Sequence, residues 1–468
     1  MYPQMIRKRL WFGFLMIILS FYSCKKEMLY IPSGLSVTNI SDTGSTVRWR
    51  MSTNNTDTYN LYISADSLFT AFLPGYDPAV INVSAVNLDE LIPAKKYFVK
   101  LVLINAGTIS EPAYTSFTTL DADRLVFAGS DDNKLYAFNA RTGDISWSFP
   151  TGGMIAASPV VDSGIVYAGS EDGVLYAVDA VTGSLKWSTA TGGVISGSAP
   201  TIKNGRVYIG NNNGKLSAIN TANGTVQWQY QVPGSSPGIG VSPVVDSGVI
   251  YIAALNGRMY ALEAATGVLK WSSIPAGNTI TSGPALYNDT LYVGAMPGIY
   301  AFNKRTGDTA WTSQQPPGIS SHSSPTVSNH TVYIGGQDGN VHAYNAFTGI
   351  LRWSKLMSSA PVVSSPVIRN RIIYIGDGDG NIHAIDSTAG SMVWVFTGMG
   401  TQSIYAGPVV SNKNVYAANQ TGSVFAIDIN TGIARWGTSV PGASFRAGPC
   451  VVTYGGTVFY PGTSGAMQ

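Results

Sequence analysis

The sequence predicts an all-β protein: a small β-sandwich, then a β-propeller of eight four-stranded blades closed by the C-terminal strand. Three observations carry that prediction. The first is a row of tryptophans, Trp147, Trp187, Trp228, Trp271, Trp311, Trp353, Trp394 and Trp436, spaced by 40, 41, 43, 40, 42, 41 and 42 residues. Each has Ala ten residues before it, Asn, Asp or Glu eight before and Gly four before. A fixed period near 40 means one supersecondary unit copied along the chain. The second is composition. In 468 residues only 12% are charged, while Gly numbers 52 and Tyr 25. Low charge with many Gly and Tyr suits an exported all-β chain with many tight turns. The third is an alternating, half-buried pattern in the segment before the repeats, which marks short strands.

The elements follow in order. Arg7, Lys8 and Arg9 precede an apolar run from Leu10 to Phe21. That is the layout of a secretory signal, and the run is short of the ~20 residues that span a bilayer. It ends Phe21-Tyr22-Ser23-Cys24-Lys25-Lys26-Glu27. A small residue directly before Cys resembles a bacterial lipoprotein signal. A loose box followed by Lys and an acidic residue is similar to those of Bacteroidetes lipoproteins. The resemblance implies that residues 1–23 are removed, that Cys24 is lipidated, and that 24–31 is a linker. The chain is then an exported outer-membrane lipoprotein on the periplasmic or cell-surface face.

Residues 32–120 lack the repeat. Leu35 to Ile40 and Thr46 to Arg50 read as strands with one buried face, and several such strands at close spacing suggest a sandwich. Pro32-Ser33-Gly34-Leu35, Trp49, Tyr59-Asn60-Leu61-Tyr62, Leu88 to Pro93 followed by Tyr97, and Ser116 to Thr119 resemble a fibronectin type III domain. The resemblance implies a tyrosine corner at Tyr97, whose hydroxyl ties strand to loop, and a spacer or adhesion role.

Residues 121–468 form the propeller. In one repeat, Ser158 to Asp162 is a first strand and Ile165 to Gly169 a second. Glu171-Asp172-Gly173 is a hairpin turn, and Val174 to Asp179 is a third strand. Thr182-Gly183 turns into a fourth strand at Ser184 to Trp187. Four antiparallel strands per unit, stacked radially, make a propeller. The Gly permits the last turn, the acidic or amide residue accepts bonds there, and the Trp lies flat between blades. First strands begin near Pro159, Pro200, Pro243, Pro284, Pro325, Pro366, Pro408 and Pro449. The first Trp unit opens on a second strand at Leu125, so Pro449 to Val452 supplies its missing one. Thr457-Val458-Phe459-Tyr460 is then surplus. The frame Ala-x-Asp-x-x-Thr-Gly-x-x-x-Trp resembles the docking motif of pyrroloquinoline-quinone propellers, over residues 124–468.

That resemblance implies a fold more than an activity. Active quinoprotein dehydrogenases resemble this chain but carry adjacent cysteines, calcium ligands and an aspartate base. Here the only cysteines are Cys24 and Cys450, and the calcium ligands find no match. Asp377-Gly378-Asp379-Gly380-Asn381 looks like part of a calcium loop, but it lacks the distal Glu and sits at a hairpin turn. Pyrroloquinoline quinone, calcium and any other metal are therefore disfavoured, and no catalytic residue is assigned. His342 and His383 occupy third-strand positions where other blades carry Tyr176 or Tyr260, which favours packing. With net charge +2 no footprint for nucleic acid is visible.

Function is sought where the repeat varies. Apolar Ile155, Ile239, Ile280, Val362 and Ile404 precede a position that changes from blade to blade: Ala156, Gly240, Thr281, His322, Val363, Tyr405, Arg446. These interblade loops line one mouth of the channel, and His322, Tyr405 and Arg446 form the candidate ligand or partner patch. The leading expectation is a non-catalytic, lipid-anchored scaffold for protein partners. It resembles the propeller lipoproteins of the outer-membrane β-barrel assembly machinery. A surface module for glycans or proteins is the alternative, and a quinoprotein dehydrogenase a remote third.

Overall fold

The computed structural model describes residues 30–453 and 458–459, apart from 55, 90, 120–122, 235–236, 275–278, 281, 296–297, 314–322, 399 and 401. Every regular element among the described residues is a strand. Cys24 and the signal segment lie outside the described residues. The chain parts into two compact units between Leu120 and Asp121.

The first unit has two antiparallel sheets. Ser36–Thr38, Ser45–Arg48 and Ala85–Leu88 make one, while Ala79–Ile81, Thr58–Ser64, Lys96–Asn105, Thr108–Ile109 and Ala113–Thr118 make the other. Alternation aims Val47, Leu88, Tyr59, Leu61, Val99, Leu101 and Phe117 into a shared core, joined by Trp49 and Tyr97. The Ile92 amide donates to the Tyr97 hydroxyl at 2.9 Å, pinning the strand to the loop before it.

Among the described residues the second unit contains eight sheets, seven of four strands and one of five. We number the blades 1 to 8 after their tryptophans, Trp147 to Trp436. Blade 2 runs Val160–Asp162, Ile165–Gly169, Val174–Asp179 and Leu185–Ala190, in that spatial order. In every blade the pairing of third and fourth strands slips by one residue beside the Trp. In blade 1, Ala137 faces Trp147 but Phe138 faces Ile145, so Ser146 is the extra residue of a bulge. A bulge sharpens the local twist, and the small Ala opposite leaves room for the indole.

The indole reaches the next blade. A Cβ added to Gly183 would lie 2.8 Å from the Trp147 ring, and one on Gly143 would lie 2.6 Å from Trp436. Gly224, Gly267, Gly307, Gly349, Gly390 and Gly432 meet Trp187, Trp228, Trp271, Trp311, Trp353 and Trp394 in the same way. These turn glycines sit at positive φ, 80° at Gly143, where a side chain is strained. The glycine thus serves two ends, the turn and the contact. The Trp147 indole N–H donates to the Ala180 carbonyl at 3.1 Å, and Trp436 to Ala140 at 2.9 Å, which joins blade 8 to blade 1. Trp187, Trp228, Trp271, Trp311 and Trp394 donate to the carbonyls of Thr221, Ala264, Lys304, Ala346 and Ile429. The acidic or amide residue therefore binds the turn amides, as Asn139 does for Arg141 at 2.9 Å, and the indole takes the next carbonyl instead.

Ring closure mixes the termini. Cys450–Thr453 pairs with Asp123–Gly129, Cys450 facing Phe127 and Val451 facing Val126. The surplus strand, Val458–Phe459, takes the opposite edge of Cys450–Thr453, so it does not displace residues 125–129. First strands lie innermost, which puts this extra strand on the channel side. Asp123 Oδ2 accepts from Ser411 Oγ at 2.6 Å, Asn414 Nδ2 at 2.9 Å and the Tyr416 hydroxyl at 2.8 Å. Burial, then the Asp123 charge, pushes the Tyr416 hydroxyl well above the ordinary phenol range. Cys450 is fully buried, which raises its thiol likewise.

Two measurements check this account. Gly143→Ala is expected to cost about 2–4 kcal/mol in urea unfolding, since it adds overpacking to a strained φ. Gly164→Ala, at φ 78° with nothing within 4 Å of the new methyl, is expected to cost only about 1 kcal/mol. The Cys450 thiol is expected to resist a thiol reagent until the closing blade opens, so labelling and unfolding rates should coincide.

Candidate functional site

The loops from fourth strand to next first strand share one face with the second-to-third turns. Their apolar residues are anchors. Ile155, Ile239, Ile280, Val362 and Ile404 are fully buried, and Ile404 N donates to the Asp377 carbonyl at 3.0 Å. Ile155 fills the space a Cβ on Gly129 would take, as Ile404 does at Gly376. After their anchors, Ala156, Gly240 and Val363 are partly exposed and Tyr405 is exposed.

The structure treats the three candidate residues differently. His322 lies outside the described residues. Tyr405 is 49% exposed. Arg446 Nε pairs with Asp131 Oδ2 at 2.7 Å. Asp131 also accepts from Ser444 Oγ at 2.8 Å, and its amide donates to the Ser444 carbonyl at 2.9 Å. Next to Arg446, Phe445 is buried with its ring 6.0 Å from Tyr136 and 6.2 Å from Phe138. Arg446 therefore helps join blade 8 to blade 1 while half its side chain stays exposed. Tyr405 and Arg446 sit on consecutive loops.

The segments that lead into the first strands carry buried serines, Ser198, Ser282, Ser323 and Ser364 among them. Ser198 Oγ accepts from Gly210 N at 3.0 Å, and Ser364 Oγ from Gly376 N at 2.8 Å. Ser323 Oγ donates to the Ser364 carbonyl of the next blade at 2.9 Å, and Gly283 N to Ser324 Oγ at 2.8 Å. Each of these hydroxyls bonds a backbone group.

The two strand histidines pair with turn carboxylates. His383 Nε2 lies 2.7 Å from Asp377 Oδ2, and His342 Nε2 lies 3.2 Å from Asp338 Oδ1. In blade 2 the Tyr176 hydroxyl bonds Asp172 at 2.7 Å, in the place where Asp338 meets His342. Asp377 is saturated: Oδ1 accepts from Asp379 N and Asn381 N at 3.0 and 2.8 Å, and Oδ2 also from Asn381 Nδ2 at 2.9 Å. Burial alone would raise this carboxyl, but the bonds from His383 and Asn381 outweigh it and hold it below the usual range. The calcium-like run is a turn that spends its carboxylate on its own donors.

Sequence reasoning missed a second aromatic in every blade. Phe127, Tyr167, Tyr208, Tyr251, Tyr292, Tyr333, Tyr374 and Tyr416 tilt against the eight tryptophans at 5.7 to 6.0 Å. The Tyr208 hydroxyl donates at 3.0 Å to Ala264, the carbonyl that Trp228 also uses. The signal was present: an aromatic sits at the same place in each second strand. The Arg446 to Asp131 pair left no such signal, because it occurs once.

The family model described as outer membrane protein assembly factor BamB matches residues 36–313 and 295–467. The chain belongs to this family. Three solved structures share the fold. BamB from Moraxella catarrhalis is 24% identical, with 62% of this chain and 90% of that one covered at a TM-score of 0.52. The computationally designed Ika8 protein is 18% identical, covering 67% and 98% at 0.56. Quinohemoprotein alcohol dehydrogenase from Comamonas testosteroni is 15% identical, covering 67% and 73% at 0.52. At these identities the likeness is one of fold, and the dehydrogenase brings no chemistry with it. No curated protein matches the chain.

Asp377 supplies a pH test. Its folded-state pKa lies below the ordinary value of 3.8, so its stabilisation is present above that value and is lost as pH falls through the folded pKa. Asp377→Asn is expected to lower stability at pH 7 by about 1.5–3 kcal/mol, as for a bond to a charged group. It should also flatten the fall in stability below about pH 4, measured by denaturant unfolding at stepped pH.

Proposed function

We propose that this protein is a non-catalytic, lipid-anchored scaffold that holds protein partners at the outer membrane. The family match over residues 36–467 carries the reading, since that family is described as an outer-membrane assembly factor. The repeat supports it. The same indole contact recurs at all eight tryptophans and the same carbonyl bond at seven of them, so the recurring residues are engaged in holding blades together. What differs between blades is the loop position after each buried anchor, where Tyr405 and half of Arg446 reach solvent. Tyr and Arg are side chains that protein interfaces favour.

The first unit acts in this reading as a fibronectin type III-like spacer between the anchor and the propeller. Tyr97 makes the bond that a tyrosine corner requires. Cys24 carries the lipid, and residues 24–31 give it reach.

Cys24→Ala is expected to move the protein from the membrane pellet to the soluble fraction, and retention in the pellet would refute the anchor. A photo-crosslinking residue at position 405 in native membranes is expected to capture a β-barrel assembly component. The triple change His322→Ala, Tyr405→Ala and Arg446→Ala should weaken that association at least tenfold. Full association in the triple variant would remove the mouth patch from the account.

A further inference from the structure

The face opposite the mouth carries the first-to-second turns, and these break step over half the ring. In seven blades one carbonyl of this turn accepts from the third-to-fourth turn of the same blade, and in blade 1, whose first strand comes from the C-terminus, a residue at the start of the second strand takes the same place. Gly164 accepts from Ala180 N at 2.9 Å, Gly205 from Thr221 at 3.0 Å and Gly248 from Ala264 at 2.9 Å. Asp289, His330, Arg371 and Lys413 accept from Lys304, Ala346, Ser387 and Ile429 at 2.9, 3.0, 2.8 and 3.0 Å. Arg124 completes the ring by accepting from Ala140 at 3.1 Å. Three neighbouring blades therefore present glycine. The next five present Asp, His, Arg, Lys and Arg.

Two of these side chains sit where glycine fits better. Gly164, Gly205 and Gly248 have φ of 78°, 71° and 77°, and His330 and Arg371 keep the same left-handed backbone at 58° and 66°. Each follows an asparagine that is also left-handed, Asn329 at 45° and Asn370 at 49°. Such a two-residue turn favours Asn-Gly. A bulky residue there costs stability, and backbone strain of this kind concentrates at functional positions.

The surroundings define the chemistry. The His330 ring meets Tyr287 edge-on at 5.8 Å and lies 5.1 Å from Phe347, which is 60% exposed. Asp289 is held by Lys304 at 3.2 Å and Arg305 at 3.3 Å, so its charge is offset at one end of the arc. Arg371 is exposed, with Nη2 donating to Thr388 Oγ1 at 3.1 Å. Lys413 and Arg124 follow in the next two blades. An aromatic pad thus leads into three successive cationic positions.

We propose that this arc, His330 with Tyr287 and Phe347 continuing through Arg371, Lys413 and Arg124, docks an acidic peptide segment of a partner protein. An aromatic or apolar side chain of that segment covers the pad, and its carboxylates meet the cations. Arginine beside aromatic rings is the make-up of protein hot spots. A flat anionic membrane would meet the whole face, whereas these side chains are confined to four consecutive turns and the start of the strand Asp123–Gly129. The inference rests on the scaffold reading only in requiring a protein partner.

The test uses the full chain with Cys24→Ala in every arm, so that the anchor plays no part. The probe is a fluorescent peptide of alternating Glu and Tyr, read by anisotropy, with phosphatidylglycerol vesicles as the competing occupant. His330→Gly with Arg371→Gly is expected to weaken peptide binding at least tenfold while melting at the same or a higher temperature. Glycine already serves this position in three blades. Lys270→Ala, an exposed cation of blade 4, should leave binding unchanged, and added salt should weaken it. Absent binding, equal binding by the glycine variant, or arc-dependent binding of vesicles in place of the peptide would overturn the proposal. If the peptide fails while position 405 still captures an assembly component, the arc falls and the scaffold stands. If the peptide binds through the arc and no such component is captured, the reverse holds.

Discussion

The contact of each tryptophan with the next blade's turn glycine is what the rest of the propeller depends on. The glycine must lack a Cβ for two separate reasons, its positive φ and the indole lying against it. The indole must also lose its hydration, and the carbonyl it reaches belongs to the neighbouring blade. Each indole is partly buried there, so removing it costs less than the about 3–5 kcal/mol of a fully buried Trp. A blade cannot bury both faces alone, so each depends on its neighbour for core as well as for this bond. Buried clusters accordingly draw on adjacent blades, as where Val126, Tyr136 and Phe138 pack with Val409, Tyr416 and Ala426 across the closure.

Closing such a ring brings a problem that a linear array lacks. The first and last blades must find each other after the whole chain has been made. Here the closing contact repeats the ordinary one, Trp436 on Gly143, and adds two carboxylate clusters. Asp123 gathers Ser411, Asn414 and Tyr416, and Asp131 gathers Ser444 and Arg446. Buried and half-buried polar bonds of this kind add specificity as well as energy, since a misregistered closure would leave them unpaired. The Arg446 pair shows how a mouth residue can serve closure and still present charge to solvent.

Legibility in the sequence followed repetition. Features that recur eight times could be read from spacing alone: the strands, the turns, the tryptophan frame and the supply of a first strand by residues near Pro449. Features that occur once could not. Asp123 has no counterpart to reveal its role, and Arg446 reads as a free charge until Asp131 is seen beside it. The second-strand aromatics were legible in principle, yet periodicity assigns them only to a buried face and cannot say which carbonyl they share. The turn residues Asp289, His330 and Arg371 stand out only once hydrogen bonds equate them with Gly164, Gly205 and Gly248. Position in the fold, more than residue type, separates a functional departure from ordinary drift.

If the indole contacts bind the blades into one cooperative ring, a defect at one junction should be felt at all of them. Hydrogen exchange of backbone amides in the Gly143→Ala chain measures this directly. The account predicts that second-strand amides around Tyr208 and Tyr292, far from the substitution, speed up as much as those around Phe127 and Tyr416. Faster exchange confined to blades 8 and 1 would show that each junction acts for itself, as in an open repeat array, and would contradict the account.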